Sequence, residues 1–519
     1  MIRAAQWQRA RDRLNQPAEP ARCCGDAGGQ RHAMRIIGRM AAISRTLDAV
    51  PAAGSTGQGD RDPRSHVYDC AVVGGGMSGL GAAADLRARA RSVIVIEAGP
   101  GVGGLARALR IGGEPIEAYY HHIFPQDRET RDLISLLRLD EHLEWRSASM
   151  GMLHHGHAYP FNGPLDVLRF SPLSPWQRLR LGGGTAAQLV RRDHRRLDRR
   201  SVDQDGPLMF GRRAYEMIWR PLLDAKFGEA AGRLPMAWLV ARLRQRAGAR
   251  SVNGDRLGYL RGSLGTLVEA YAAHVAVIGV EIRVATRVTS LRHDGEVWLV
   301  ETERDGVLSV IRARSVVACL SGQILGRLVA LPPPYGPAIA SIGYRGIVCS
   351  LVELSRPLSR YYWVNVTDRL GLGCVAIIEH TNFIPAERYG GSHLVYLAHY
   401  VDRGSPAWTA TADDLLAAVE PAMRHLNPEY DRSWVKAMHV SRDPFAQPIP
   451  QISGPMPGLP VETGLPGLVH ASLAHIYPDD RGVSLAVRLG RRAALAAETY
   501  LRAAGSRGTA AGDLRPGDH

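Results

Sequence analysis

The hydrophobic pattern of this 519-residue chain is clearest between residues 68 and 124. Residues 69–73 and 93–96 are short, almost continuous apolar runs, which are typical of parallel strands buried on both faces. The Ala-rich stretch of residues 80–90 lies between them and has a helical pattern. The sequence therefore predicts a βαβ unit, in which a helix connects two parallel strands.

Glycines occupy the turn after the first predicted strand. Gly74, Gly76 and Gly79 match the G-x-G-x-x-G spacing, which provides a tight turn, close backbone approach to a pyrophosphate and close helix packing. The anion is then expected at the helix N-terminus, where N–H groups are unpaired. Glu97 ends the second strand, where an acid accepts hydrogen bonds from ribose hydroxyls. The predicted dinucleotide-binding residues are Gly74, Gly76, Met77, Ser78, Gly79 and Glu97.

The rest of the chain mixes helical and strand-like patterns. The helical stretches are residues 130–143, 174–250 and 485–501, and the strand-like stretches are residues 280–284, 288–291, 297–303, 313–319, 347–354, 374–379, 393–400 and 467–472. A hairpin is expected at Asp294-Gly295, and a second one at residues 153–161, where His154, His155 and His157 are interpreted as hairpin residues and not as a metal site. These patterns predict a two-domain α/β protein.

The net charge is unevenly distributed. The chain carries 64 Lys and Arg residues against 50 Asp and Glu residues, a net charge of +14. Residues 174–250 contain 17 of the basic residues and 7 of the acidic ones, which accounts for +10 of that charge. A solvated helix face is one interpretation of this region, and a surface for an anionic lipid membrane or a phosphorylated substrate is the other.

Composition excludes several classes of protein. No zinc finger, RNA-binding signature or basic motif with interleaved aromatic residues occurs, so a nucleic-acid partner is not expected. No stretch of about 18 uninterrupted apolar residues predicts a membrane span. The six cysteines include no C-x-x-C pair and lie mostly in apolar runs, which indicates buried thiols in a reducing compartment. A cytoplasmic protein, with peripheral membrane contact as the alternative, is the prediction.

A second glycine motif narrows the choice of dinucleotide cofactor. Residues 97–106 read Glu-Ala-Gly-Pro-Gly-Val-Gly-Gly-Leu-Ala. This stretch resembles the FAD-binding superfamily of amine oxidases, protoporphyrinogen oxidases, phytoene desaturases and UDP-galactopyranose mutases. The resemblance implies FAD as cofactor, with Ala98, Gly103, Gly104 and Leu105 beside it. Leu105 stands where many amine oxidases have Arg, which argues against an amine substrate.

Two adjacent histidines follow the predicted βαβ unit. His122-Ile123-Phe124 resembles the His-Ile-Phe of UDP-galactopyranose mutases, where the backbone lies against the flavin ring. The tandem His121-His122 also resembles a group of bacterial protoporphyrinogen-oxidase-like flavoproteins. Two core or capping imidazoles are the alternative interpretation. No third ligand is spaced to complete a metal site, so no metal is expected.

Later segments resemble the same superfamily. Residues 218–228 resemble its Pro-Leu-Leu and Lys-Phe-Gly segment, so Lys226 is expected near substrate or flavin, or else at helix-terminal carbonyls. The resemblance places the Val288 backbone at the adenine. Ser472 stands where the superfamily often has an acid, and Arg481, Gly482 and Val483 enter the last helix beside the phosphates or flavin.

The resemblance implies a Rossmann-like FAD-binding domain interleaved with an α+β substrate domain. Three separate segments are expected to build the FAD-binding domain, namely residues 67–150, 251–330 and 456–505. The substrate domain is expected to consist of a helical substrate or cap region (151–250) and a sheet-rich region (331–455). The two ends of the chain are predicted to be a disordered N-terminal extension (1–66) and a disordered tail (506–519).

The predicted function is FAD-dependent oxidation of an organic small molecule by hydride transfer to flavin N5. His121, His122 and Lys226 are the candidate catalytic residues. The predicted substrate is a small molecule, with an anionic or lipid-linked one as a specific option. The rival hypothesis is a mutase-like flavoprotein that acts on a nucleotide sugar without net redox change, and a third class is a flavin-binding partner without turnover. The sequence makes no prediction of oligomeric state.

Overall fold

The computed structural model of this protein describes residues 66–190, 194–251, 254–368 and 374–512. Apart from residue 66, the predicted N-terminal extension lies outside these residues. The strands are β1 (Val67–Val73), β2 (Val93–Ile96), β3 (Ala108–Ile111), β4 (Glu114–Glu117), β5 (Leu143–Ala148), β6 (Met150–His154), β7 (His157–Pro160), β8 (Arg250–Ser251), β9 (Gly254–Leu260), β10 (Glu281–Arg283), β11 (Arg287–His293), β12 (Trp298–Arg304), β13 (Val307–Ala318), β14 (Tyr344–Leu354), β15 (Trp363–Val366), β16 (Cys374–Glu379), β17 (His393–Val401), β18 (Val435–Pro448) and β19 (Leu468–His470).

Helices account for most of the remaining described residues. They are α1 (Met77–Ala88), α2 (Arg128–Leu136), α3 (Pro164–Arg169), α4 (Pro175–Val190), α5 (His194–Leu197), α6 (Val202–Phe210), α7 (Arg212–Ala214), α8 (Arg220–Phe227), α9 (Met236–Ala247), α10 (Ser263–Val277), α11 (Gly322–Leu328), α12 (Tyr335–Ala340), α13 (Pro406–Thr409), α14 (Ala412–Leu426) and α15 (Val483–Gly512), with a π-helical turn at Tyr215–Trp219. Among the described residues, no helix combines the length and apolarity needed to cross a bilayer.

The first sheet has the strand order β10-β2-β1-β13-β12-β11, and β19 also pairs with β13. Its parallel centre is buried on both faces, which explains the almost continuous apolar runs. Val72 and Val95 face one apolar cluster that includes side chains of α1 and α15. Val73 and Ile96 face the opposite cluster, which includes Trp298 of β12. The alternation follows from the period of two in a strand.

The second sheet has the order β18-β14-β17-β16-β15-β6-β7. All of its pairs are antiparallel except β15 with β6. Ile347 and Leu351 of β14 face a cluster shared with the β3–β4 hairpin. Val352, on the other face of that strand, packs with Leu416 of α14. Two sheets that draw strands alternately from one chain confirm the predicted interleaved α/β fold.

Some predicted element boundaries differ from the structure. The predicted hairpin at residues 153–161 is present as β6 and β7, but these strands belong to the second sheet and not to a helical cap. His154 hydrogen-bonds Thr367. The last helix continues to residue 512, so a portion of the tail predicted to be disordered from residue 506 is helical.

Candidate active site

The three motif glycines of the turn after β1 differ in their surroundings. Gly74 has φ +103°, and a Cβ added to it would lie 2.7 Å from the Cys319 carbonyl oxygen. A Cβ on Gly79 would lie 1.9 Å from the Gly74 carbonyl oxygen, so this glycine lets α1 pack against the turn. At Gly76 the nearest atom to such a Cβ is the Gly104 Cα, 4.0 Å away. The open side of Gly76 therefore has room for a ligand next to the backbone.

The N-terminus of α1 adjoins this open space. Gly76 is its N-cap residue and provides no side-chain cap for the first N–H groups of the helix, which belong to Met77, Ser78 and Gly79. The first turn also contains no acidic side chain. An anion at this end would be favoured by the free N–H groups and by the helix dipole.

Glu97 fixes the loops on both sides of the predicted phosphate position. Its Oε2 accepts a hydrogen bond from the Gly75 N–H, and its Oε1 accepts one from the Gly99 N–H, both at 2.7 Å. The Thr286 N–H donates to the Glu97 carbonyl oxygen at 2.8 Å. Val288 follows two residues later, so it lies near the carboxyl end of β2.

The second glycine motif lies directly along the first. The Gly103 N–H donates to the Gly75 carbonyl oxygen at 2.9 Å, and Gly103 has φ +114°, a conformation suited to glycine. Gly104 is exposed, and so is Ala98, while Leu105 packs against the cluster under the second sheet. The two glycine loops and Glu97 thus form one groove without side chains in its path, which fits the extended pyrophosphate of FAD.

A cavity of about 250 Å³ lies beside the second sheet. It is lined by six of the predicted site residues, which are His121, His122, Lys226, Arg481, Gly482 and Val483. Trp363 of β15 and Tyr400 of β17 supply aromatic surface from the second sheet, and α8 and α9 close another side. The cavity therefore joins three chain segments that the sequence analysis singled out separately.

Both histidines of the tandem pair border this cavity, where burial disfavours their charged forms. His121 Nδ1 lies 2.5 Å from the Tyr119 carbonyl oxygen, and His122 Nδ1 lies 3.3 Å from the Tyr362 hydroxyl. Burial lowers the pKa of His121 to about 4. Burial, reinforced by Arg246, lowers the pKa of His122 well below its usual value. The Ile123 N–H and carbonyl both bond the Gly258 backbone, which fixes the segment in place.

Lys226 is held by an acid and not by helix-terminal carbonyls. Its ammonium donates to Asp480 Oδ2 at 2.7 Å, and it lies 4.9 Å from the Trp238 ring centroid. Burial lowers the pKa of the Lys226 ammonium, although Asp480 opposes this shift. Burial also disfavours the Asp480 carboxylate, but Lys226 and Arg242 outweigh that effect and hold its pKa well below its usual range. The pair is therefore ionised, with the lysine at the cavity wall.

Arg481 connects the last helix to the second sheet. Its guanidinium donates to the Tyr400 hydroxyl at 2.5 Å and to the Ala446 carbonyl oxygen at 3.0 Å. The Tyr400 hydroxyl is 3.3 Å from the Tyr120 hydroxyl. A Cβ added to Gly482 would have no other atom within 4 Å, so the backbone at the start of α15 faces open space.

Ser472 lies away from this cavity. It follows β19, is buried, and its hydroxyl bonds His475 Nδ1 at 3.0 Å as one half of a capping box. The structure thus uses Ser472 within the protein, and the expectation that it replaces a cofactor-binding acid stays a prediction.

Several cavity residues have no counterpart in the sequence analysis. Asp480 directly precedes Arg481 in the chain, and Arg242 and Arg246 are four residues apart on α9, so that they share one face. That spacing is visible in the sequence, but only the fold shows which way the face points. Among the described residues, no group of three His, Cys, Asp or Glu side chains could hold a metal ion.

Comparisons with known proteins agree with this geometry. A family model described as flavin-containing amine oxidoreductase matches residues 77–496. A putative protoporphyrinogen oxidase from Exiguobacterium sp. 255-15 aligns with a TM-score of 0.65 and 18% identity, over 83% of this chain and 98% of that one. Putrescine oxidase bound to putrescine aligns with a TM-score of 0.63 and 16% identity, over 84% and 99%. Reduced UDP-galactopyranose mutase aligns with a TM-score of 0.63 and 14% identity, over 86% and 98%.

Proposed function

This chain belongs to the flavin-containing amine oxidoreductase family, and we propose that, as an FAD-dependent oxidoreductase, it removes hydride from an organic small molecule that carries a negative charge. FAD, when bound, accepts the hydride at N5 of its ring. The observation that carries the proposal is the cavity at which the His121-His122 segment, Lys226 and the Arg481-Gly482-Val483 segment meet.

Separate groups of residues would hold the two ends of the cofactor. The groove of Gly76, Gly104 and the α1 N-terminus suits the pyrophosphate, and Glu97 has carboxylate lone pairs left for the ribose. The segment of Ile123 and the start of α15 border the cavity, where the ring would lie. The protein's task there is to hold the substrate in place and to exclude water.

The charge of the cavity favours an anionic substrate. Lys226, Arg242, Arg246 and Arg481 line it, against the two acids Asp127 and Asp480. Burial raises the pKa of Asp127 to about 6, so this group is still mostly ionised at pH 7, and the four cations outnumber the two acids. The cavity wall therefore has an excess of positive charge that would repel a protonated amine. Leu105, where many related amine oxidases have Arg, points to the same conclusion.

The candidate catalytic residues are better suited to binding the substrate than to removing a proton from it. Imidazoles with pKa values as low as those of His121 and His122 are weak bases near neutral pH. Lys226 is held as a cation by Asp480. We therefore assign these three residues to positioning the substrate, with the Lys226 ammonium as the group that pairs with its negative charge.

A mutase is the second candidate function. His122-Ile123-Phe124 matches the mutase pattern, and two cavity arginines, Arg242 and Arg246, suit the diphosphate of a nucleotide sugar. In that case the flavin would act in its reduced form and no net oxidation would occur.

Anaerobic mixing of the purified, oxidised flavoprotein with chosen compounds separates these possibilities. Protoporphyrinogen, which carries two carboxylates, tests an anionic substrate, and putrescine tests a cationic one. We expect the flavin absorbance band to bleach with an anionic compound and not with putrescine. For the double variant Arg242→Gln/Arg246→Gln, we expect a KM for the anionic compound that rises more than kcat falls. Bleaching by putrescine would contradict the assigned substrate charge. An oxidised protein that stays unreduced, together with interconversion of UDP-galactopyranose by the dithionite-reduced protein, would establish the mutase.

A further inference from the structure

Exposed large apolar side chains are concentrated in one short stretch of the described chain. Of the twelve such side chains, six lie between residues 165 and 208, and their exposure ranges from 46% to 78%. These six residues, called here the apolar helical surface, are Leu165, Leu168, Trp176, Leu179, Val190 and Leu208. Single exposed apolar residues are ordinary, but a cluster of them marks an interaction surface.

Helix α4 contributes the centre of this surface. Its exposed positions include Trp176, Leu179, Gly183, Ala186 and Val190, which recur every three or four residues and therefore share one face. The helix buries residues of its other side against α6 and α9. From residue 181 to residue 190 it has no charged side chain. An outward face of this kind is the reverse of the usual pattern, in which the solvent side is polar.

Hydrogen bonds join the neighbouring helices to α4. The Arg178 guanidinium donates to the Leu168 carbonyl oxygen at 2.8 Å, at the end of α3. The Arg180 guanidinium donates to the Leu208 carbonyl oxygen at 3.2 Å, at the end of α6. These bonds place the backbones of Leu168 and Leu208, whose side chains are exposed, next to α4.

Exposed arginines accompany the apolar helical surface. Arg180 lies on α4, Arg196 and Arg199 follow α4 in the chain, and Arg212 begins α7. A twofold contact between two copies would place these like charges against each other, which opposes self-association. An anionic lipid bilayer, in contrast, offers apolar contact to Trp and Leu and negative headgroups to Arg.

We infer that the apolar helical surface docks this protein on an anionic lipid bilayer. Trp176 and Leu179 enter the headgroup boundary, and the exposed arginines contact the headgroups. The surface adjoins the cavity, because Phe161 and Asn162 line the cavity immediately before α3. Asn162 is also tied to α3 through two hydrogen bonds to Asp166 Oδ2, at 2.8 and 2.9 Å.

Vesicle sedimentation with the full-length flavoprotein tests this inference. The vesicles are phosphatidylcholine alone and equal parts of phosphatidylcholine and phosphatidylglycerol. We expect the protein to bind the anionic vesicles, with binding reduced by salt. The double variant Trp176→Glu/Leu179→Glu is expected to bind them at least about tenfold more weakly. The matched control is Val307→Glu/Leu308→Glu on β13, where both side chains are equally exposed, and it is expected to bind like the wild type.

Three results would overturn the inference. The first is a wild-type protein that remains in the supernatant with anionic vesicles at low salt. The second is equal loss of binding in the α4 variant and the β13 control, or no loss in either. The third is a change from dimer to monomer in the α4 variant by light scattering without any change in vesicle binding, which would assign the surface to a second copy of the chain.

Discussion

Gly76 and Gly79 are three residues apart but differ in what surrounds their Cα atoms. Replacing Gly76 with Val puts a side chain into open space, so we expect the free protein to fold normally and to lose FAD. Replacing Gly79 with Ala drives a Cβ into the Gly74 carbonyl oxygen, so we expect a loss of roughly 1 to 3 kcal/mol in the free energy of unfolding. Flavin absorbance of the two purified variants and thermal melting of their apoproteins measure this difference. A Gly76→Val protein that purifies with full flavin content would contradict the proposed phosphate position.

Glu97 is expected to contribute to cofactor affinity as well as to loop structure. Replacing it with Ala removes a charged acceptor from the ribose position and two hydrogen bonds from the loop N–H groups of Gly75 and Gly99. Hydrogen bonds to charged groups contribute about 1.5 to 3 kcal/mol, so the Kd for FAD should rise about 10- to 150-fold. Fluorescence titration of the apoprotein with FAD measures this Kd. Glu97→Gln, which keeps one acceptor oxygen, should show a smaller effect, and an unchanged Kd in both variants would exclude the assigned role.

At the scale of elements, we expect the stability of the fold to depend on a buried ion pair between α8 and the loop before α15. Lys226 and Asp480 are 2.7 Å apart with side chains 13% and 5% exposed, and Arg242 lies 3.5 Å from the same oxygen. Removing one partner of a buried pair typically costs about 3 to 5 kcal/mol, because the other charge stays buried. We expect Lys226→Met and Asp480→Asn each to destabilise the fold, and the double variant to cost less than the sum. Urea unfolding of the four proteins gives the coupling energy, and strictly additive effects would show that the pair is not coupled.

Elements that depend on a local sequence pattern can be predicted, whereas contacts between residues distant in the chain cannot. The sequence predicts Val93–Ile96 with its observed bounds, because four consecutive apolar residues can be buried only between two layers. It also identifies Glu97, since the position of this residue depends on the local strand, turn and helix. Asp480 and Arg242 could not be assigned to the site, because they are 238 positions apart in the chain and only the fold brings the loop before α15 to α9. Likewise, the sequence does not show that β6 belongs to the second sheet, because its partner strand β15 lies about 200 residues later in the chain.

At the scale of the whole molecule, buried histidines and buried glutamates should have opposite effects on the pH dependence of stability. Burial lowers the folded-state pKa of His121 and His470 to about 4, below the unfolded value of 6.5. The unfolded chain then takes up protons that the folded one excludes, so stability falls as the pH drops from about 6.5 towards 4. Burial raises the pKa of Glu117 and Glu379 to about 7, above the unfolded value of 4.5. Their contribution is complete below pH 4.5 and is lost as the pH rises through 7.

Single variants separate these two effects. Relative to the wild type, His470→Gln is expected to make the slope of stability against pH more negative between about pH 4 and 6.5, whereas Glu117→Gln is expected to make it more positive between about pH 4.5 and 7. Chemical denaturation at a series of pH values provides the slopes, which are independent of any constant loss of stability in each variant. The same slope in the wild type and in both variants would show that these buried groups do not titrate differently in the folded and unfolded states.

The glycine-rich groove and the cavity beside the second sheet are proposed to form one FAD site in which a substrate meets the flavin ring. A crystal structure of the purified flavoprotein tests this central claim most directly. We expect the pyrophosphate at Gly76 and the N-terminus of α1, and the ring bordered by the His122 segment and by Arg481 to Val483, with its open face towards Lys226. A ring placed outside this cavity, or a protein that binds no flavin when FAD is supplied, would contradict the claim.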